Sequence, residues 1–371
     1  MKKIVLSLII ILMGIANINA QSKLKPGFNP MEFRDLMQIS VRQLDSITYP
    51  YPGMIASYPN YHMAYESPVV GLKNQWQLWI SPNNIGIITI RATVPTEIES
   101  WMENLYSAMI PAEGSLKIEE NKSFNYKLAE DSNAYEHAGW VIGLASMAPD
   151  IVEKINIYYK KGIKDFIIVG HSQGGAVAFL LRSYLYYMKP ALPRDITIKS
   201  YHSAAPKPGN LYYAYDFNFI TRNGWAFHVV NTEDWVPQLP LSLQTMQDIN
   251  SSSPFAQEKE LMKYIPFIER TYIKHIYNKL NKSTIKSQKL YTKYLGHKTY
   301  KYINDSIPSY EKPVFAKSYN YASCGVPITL RPDKNYWNNY YAKYKDKYSV
   351  FIHHHFYAYY LIVMEMYPER D

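Results

Sequence analysis

The chain has 371 residues, of which 47% are hydrophobic and 19% charged, enough apolar mass to bury a full-sized core, so its bulk is not intrinsically disordered. Its 16 glycines and 23 prolines follow no period and no segment repeats at a fixed spacing, which excludes collagenous, solenoid and propeller architectures. A single cysteine, Cys324, excludes an internal disulfide and a cysteine-built zinc site, and the formal charge of +9 is a modest basic surplus.

Met1 to Ala20 opens on Lys2 and Lys3, runs apolar from Ile4 to Ile15 and ends in small and polar residues. This is the pattern of a secretory signal cleaved before Gln21, and the run is shorter than the ~20 residues a membrane-spanning helix needs. No other stretch is apolar enough to span. The expectation is a mature protein outside the cytoplasm, in the medium, a periplasm or at the cell surface. Without the two signal lysines the surplus falls to +7, and for an exported chain anionic lipid headgroups match it better than nucleic acid does. The lysines between Lys259 and Lys301 are interleaved with Tyr, Ile and Leu, which reads first as the solvated face of ordinary amphipathic helices.

Along the chain, Trp76 to Arg91 predicts two strands joined by a tight turn at Ser81–Asn84. Pro95 to Met109 has helical spacing through Ile98, Trp101, Leu105 and Met109, and a second helix is predicted from about Ala138 to Lys161. Asp165 to Val169 is a short continuous apolar run of the kind buried on both faces in a parallel sheet. A glycine-rich turn, Gly170 to Gly175, leads from it into the helical stretch Ala176 to Met188, and further apolar runs follow at Ile196–Tyr201 and Trp225–Val230. Strand, helix, strand alternation implies an α/β fold, a mostly parallel sheet covered by helices. Residues 243–348 turn Lys-, Tyr-, Asn- and Ser-rich and read as a long cap-like insertion, a lid or packing cap, between a core at 21–242 and its return at 349–371.

Gly170-His171-Ser172-Gln173-Gly174 places a serine between a buried-type strand and a helix. A sharp turn there exposes the hydroxyl and aims the unpaired amides at the helix start toward it, the arrangement a serine nucleophile needs. A serine needs a base, and the base an orienting acid. Asp234, just past the run ending at Val230, is the candidate acid, with Glu233 the spare. His353, His354 and His355 stand together near the carboxyl end, and only one of three adjacent imidazoles can face Ser172. His137, His171, His202 and His228 read as packing or hydrogen-bonding residues. A histidine run can also be a metal site, but neither nearby cysteines nor a spaced carboxylate set accompanies this one, and no metal or organic cofactor is expected.

These residues, taken in order, resemble the class 3 lipases, the triacylglycerol lipase family of α/β-hydrolase fold. Ile87 to Thr93 is similar to that family's strand ending in Arg-Gly-Thr, with Ala92 in place of the glycine; Glu136 to Trp140 resembles its His-x-Gly-Phe block; Val169 to Ala176 is similar to its nucleophile block, with Gln173 where leucine is common. Ala204 to Asn210 looks like its Pro-Arg-x-Gly-Asn turn, and Asp234 to Pro240 matches the segment after its acid. A histidine five residues before a tyrosine fits His355 with Tyr360 and equally His354 with Tyr359. The likeness covers about residues 70–242 and 350–362. It implies a Ser172, Asp234, His355 triad, with Thr93 and the Gln173 N–H as oxyanion donors. It also implies an ester hydrolase acting on acylglycerols or related lipids; with the export pattern and the basic surplus, the expectation is an exported enzyme in peripheral contact with a lipid surface and without nucleic acid as a partner. Competing readings are a phospholipase, an esterase of soluble or polysaccharide-linked acyl groups, and an inactive secreted binding protein on the same fold. Two departures stand out: Ala92 adds a methyl beside the oxyanion position, and Asp234 lies 121 residues before His355, about twice the family's interval.

Overall fold

The computed structural model describes residues 22–44, 61–120, 122–188, 191–250, 252–253 and 262–368; the expected signal segment, Met1 to Ala20, lies outside the described residues. Asn29 caps helix α1 (Pro30–Ser40) by accepting from the Met31 and Glu32 amides, with Pro30 preset for the first turn. Strands β1 (His62–Glu66), β2 (Trp76–Ile80) and β3 (Gly86–Ile90) run antiparallel, and the β2–β3 turn falls where the sequence predicts it. Helix α2 (Ile98–Leu105) leads through four short strands, β4 (Met109–Pro111), β5 (Glu113–Glu119), β6 (Lys122–Lys127) and β7 (Tyr135–His137), into helix α3 (Ala138–Lys160). Then come β8 (Asp165–His171), α4 (Gln173–Tyr187), β9 (Thr197–Ser203), β10 (Gly209–Asn210), α5 (Leu211–Ile220) and β11 (Ala226–Asn231), of which β8, α4, β9 and β11 fall on the predicted runs. The remainder holds the long helix α6 (Phe267–Tyr291), α7 (Thr299–Ser306), β12 (Tyr321–Ala322), β13 (Val326–Leu330), α8 (Ala342–Tyr348) and α9 (Phe356–Met366).

Seven strands form the central sheet in the order β1-β2-β3-β8-β9-β11-β13, and every pairing from β3 onward is parallel. This is the mostly parallel, helix-covered sheet that the alternation of strands and helices predicts. Alternate residues of one strand serve opposite layers: Ile88, Ile90, Phe166 and Ile168 pack beneath α3 and α4, while Ile87, Ile167 and Val169 pack beneath α1 and α9. Each such side chain contributes roughly 1.5–3 kcal/mol by leaving water. The carboxyl ends of β3, β8 and β11 lie at one sheet edge, where parallel sheets place their ligands. That edge receives Thr93, Ser172 and Asp234.

Two elements depart from the sequence expectation. The last strand of the sheet, β13, comes from within residues 243–348, so the core extends into that segment and the cap is correspondingly shorter. Tyr336 and Tyr340 from the same segment are buried in the layer with α1 and α9. Helix α2 ends earlier than the predicted span, at Leu105, with Met109 in β4, and it turns its polar side inward: Ser100 and Glu103 are buried, while Ile98, Trp101 and Leu105 are exposed.

Candidate active site

Between β8 and α4 the chain reverses at a single residue, Ser172, held at φ 57° and ψ −129°. A side-chain-bearing residue in that region costs of order 1–3 kcal/mol and persists only where its surroundings impose it. The glycines on either side impose it. A Cβ on Gly170 would stand 2.2 Å from the Gly174 carbonyl oxygen, and one on Gly174 would stand 2.3 Å from that of Ile90. The helix therefore starts against the ends of β3 and β8, and the amide of its first residue, Gln173, has no acceptor within the helix.

The Ser172 hydroxyl lies 2.8 Å from Nε2 of His354, whose Nδ1 lies 2.7 Å from Oδ2 of Asp234. Asp234 is fully buried and tied down from two more directions: the Val236 N–H donates to Oδ1 at 3.0 Å, and the Tyr359 hydroxyl donates to Oδ2 at 2.8 Å. Tyr359 in turn accepts the Asn231 N–H at 3.1 Å, which joins the end of β11 to the first turns of α9. Glu233, the spare acid, is exposed.

The expected base, His355, does not occupy this position; His354 does. The five-residue spacing realised is therefore His354 with Tyr359. The cause is the turn that presents the histidines. Ser349, at φ 48°, starts a tight turn through His354, and three successive rings leave it in three directions. His353 packs against Tyr336, Trp337 and Tyr341 and meets the Tyr336 hydroxyl at 2.9 Å. His355 stands in extended conformation before α9, and burial, with His354 and Lys347 close by, pushes it down to about 3. His354 is aimed by a fourth histidine. His171 Nε2 donates to the His354 carbonyl at 2.7 Å while its Nδ1 accepts the Ser203 hydroxyl at 3.0 Å, an assignment that follows because a carbonyl only accepts. Its ring stacks on Phe356 at 3.9 Å.

Thr93 and Gln173 meet through the Gln173 side chain, in a cluster with Ser100 and Asn104, which the sequence did not single out. Gln173 Oε1 accepts the Thr93 hydroxyl at 2.9 Å, the Ser100 hydroxyl at 3.1 Å and the Asn104 amide at 3.3 Å; Asn104 also donates to Thr93 Oγ1 at 2.9 Å. Behind them lies Glu103, fully buried, paired with Asn74 at 2.8 Å and with the Gln173 amide, and pushed up to about 8 by burial. This polar network explains why α2 turns Ser100 and Glu103 inward. The sequence signal was Gln173 itself, a polar residue at the start of a helix otherwise lined with apolar side chains. Ala92 packs its methyl against the layer with α1 and α9.

Ser172 and His354 line a cavity of about 590 Å³ whose walls are largely apolar, with Trp101, Leu105, Trp140, Trp235, Leu241 and Phe351 among them. The outward face of α2 is thus one wall of the cleft.

The buried titratable groups predict a pH dependence of stability. His137, His171, His202 and His228 are held neutral by desolvation, His137 at about 3, His228 at about 4, the other two well below the ordinary value. An unfolded chain protonates its histidines near pH ~6.5, so below that the unfolded state binds more protons and stability falls, by at most about 1.4 kcal/mol per pH unit per group. Glu103 and Glu136, both raised by burial, act oppositely, because they stay protonated in the folded state and lose their contribution as pH rises. Urea unfolding is expected to give maximal stability near pH ~6.5, an acid limb where these four histidines and His355 outweigh two carboxyls, and an alkaline limb that Glu103→Gln flattens. Stability rising steadily through neutrality into the alkaline range contradicts this balance.

Residues 87–244 match the family model for Lipase (class 3). A curated relative, a secreted mono- and diacylglycerol lipase from Fusarium solani, is 38% identical over 76 residues, covering 20% of this chain and 20% of its own. The match thus spans about a fifth of that relative's length. Among solved structures, a Rhizomucor miehei lipase with its propeptide superposes with a TM-score of 0.41 at 17% identity, covering 57% of this chain and 61% of its own. A triacylglycerol lipase from Penicillium expansum gives 0.41 at 18% identity, covering 57% and 73%.

Proposed function

We propose that this chain, a member of the class 3 lipase family, is an exported serine hydrolase that cleaves carboxylic esters of acylglycerols. The observation that carries the reading is the unbroken contact from Ser172 through His354 to Asp234 at the mouth of an apolar cavity. Ser172 Oγ attacks the ester carbonyl while His354 Nε2 takes its proton; Asp234 keeps the other ring proton on Nδ1 and stabilises the imidazolium. The tetrahedral oxyanion meets the Gln173 N–H and Thr93. Gln173 Oε1 holds three donors against two lone pairs, so the Thr93 hydroxyl can turn to the oxyanion while Ser100 and Asn104 stay in place. His354 then gives the proton to the leaving alcohol. Water, activated by the same ring, releases the acid from Ser172 and restores the enzyme. These steps need no metal or organic cofactor.

The aromatic and aliphatic walls of the cleft favour a long acyl chain over a small polar one. The Met1–Ala20 pattern supports export, as does the secreted relative. A fluorophosphonate probe is expected to label the folded chain once, and Ser172→Ala to abolish both labelling and ester turnover. Emulsified long-chain diacylglycerol should be preferred over a short soluble ester. An intact chain that resists the probe sinks the hydrolase reading in favour of a binding protein, and a preference for the soluble ester or for phospholipid moves the substrate class.

A further inference from the structure

The basic surplus of this protein is not spread over it. Residues 263–301 hold ten lysines and arginines against one acid, Glu269, a formal surplus of +9 that equals the surplus of the whole chain; the other residues balance at 30 against 30. Most of this charge lies on α6, whose contacts to the body described here lie from Asn281 onward. There Gln288 donates to the Leu243 carbonyl at 3.3 Å, Asn281 accepts the Met246 N–H at 3.0 Å, and Tyr291 packs on Tyr319 at 4.6 Å. Tyr291 and, just past it, Leu295 line the catalytic cleft.

The amino-terminal half is different. Tyr272, Ile276 and Leu280 recur at intervals of four and form one stripe, exposed by 66%, 36% and 61%; at the tip Tyr264, Phe267 and Ile268 are also exposed. At 100° per residue, Lys279, Lys282, Lys286 and Lys289 fall on the opposite side of the helix or at the stripe's border. None of these four pairs with a carboxylate among the described residues. A solvated helix face would account for the lysines alone, but not for an apolar stripe and an aromatic tip left in water beside them. Polyanion binding by charge alone, as with nucleic acid, has no use for that stripe. A helix lying in the boundary of a negatively charged lipid layer uses both, its apolar side in the acyl region and its lysines reaching the headgroups.

We propose that α6 and its amino-terminal tip form a docking arm for lipid surfaces carrying anionic, phosphate-bearing headgroups, which holds the catalytic cleft against the layer. The choice of a lipid as occupant rests on the ester-hydrolase reading of the cleft, and the test does not depend on turnover. The full chain carrying Ser172→Ala is sedimented with vesicles of phosphatidylcholine alone and of phosphatidylcholine with one third phosphatidylglycerol, at low and high salt. Binding is expected to favour the anionic vesicles and to weaken with salt. Each headgroup-facing lysine contributes ~1 kcal/mol, so combining Lys279→Gln, Lys282→Gln and Lys286→Gln should weaken binding roughly a hundredfold, and glutamates at the same positions further. Combining Phe267→Ser, Ile276→Ser and Leu280→Ser should remove the part of binding that survives high salt. All six positions are exposed, and an unchanged thermal melt verifies the fold. Equal binding to neutral and anionic vesicles, or indifference to both sets of substitutions, overturns the proposal. So does duplex DNA binding as tightly as vesicles and ignoring the serine set, which would make α6 a nucleic-acid arm. Failure of the parent chain, with Ser172 in place, to take the fluorophosphonate while the vesicle binding stands would instead remove the hydrolase reading and leave the docking arm standing.

Discussion

His354→Ala is expected to lower kcat/KM on a soluble ester by ~10⁴- to 10⁶-fold, the cost of losing the base of a triad whose members act as a unit. His355→Ala, one residue along, should stay within about tenfold of the parent, ~1.4 kcal/mol on the barrier. The contrast is sharp because the two rings differ in what they touch and not in their chemistry. His354 spans Ser172 and Asp234 at 2.8 and 2.7 Å, and its own carbonyl is held by His171 at 2.7 Å. His355 is a wall of the cleft whose ring burial keeps neutral, so its removal alters the fit of substrate near Lys347 and Phe351 and leaves the proton path alone. The separation in the constants is informative too: His354→Ala should act on kcat, His355→Ala on KM. The reverse ranking of the two variants would mean that the turn from Ser349 to His354 presents a different ring to the serine in solution.

Why the proposed nucleophile was legible in the sequence and the proposed base was not follows from what each owes to its neighbours. Ser172 is defined locally: a continuous apolar run, two glycines at the closest backbone approaches and a helix behind them are all contained in Asp165 to Tyr187. Asp234 was legible for a similar reason, as the carboxylate one turn past a buried strand. Among His353, His354 and His355 nothing local discriminates. Their directions are set by Ser349 at positive φ and by Tyr336, Trp337 and Tyr341, which take up the first ring from across the fold. Helix α2 was legible as a helix, but not which of its sides is buried. Its periodicity was read correctly, but a hydrophobic stripe says only that residues share a face; here the polar face found buried partners in Gln173 and Asn74 and turned inward, leaving the apolar face to the cleft. Strand β13 escaped because a five-residue stretch holding Pro327 signals weakly, and proline is tolerated where it lies, at the sheet's edge.

Asp234→Asn should cost ~10⁴-fold in kcat with the fold intact, nearly as much as losing the base, although no atom is removed. The carboxylate accepts from three donors: Val236 N–H on Oδ1, and His354 Nδ1–H together with the Tyr359 hydroxyl on Oδ2. An amide keeps one acceptor oxygen and replaces the other with an NH₂ group. Oδ1 then stays with Val236, and the new NH₂ faces His354. The ring answers by accepting at Nδ1, which moves its proton to Nε2 and points a donor at Ser172 where a proton acceptor is required. The hydroxyl can no longer be deprotonated at the moment of attack. Tyr359→Phe separates this effect from simple loss of support. It leaves the His354 tautomer unchanged, deprives Asp234 of one donor and the buried Asn231 N–H of its acceptor, and should therefore cost about 1–3 kcal/mol of stability with a much smaller loss of kcat. Measured together by urea unfolding and ester turnover, the two variants must diverge, one failing in rate and the other in stability. Equal losses of rate would mean that Asp234 serves only to hold the loop, and the orienting role assigned to it would fall.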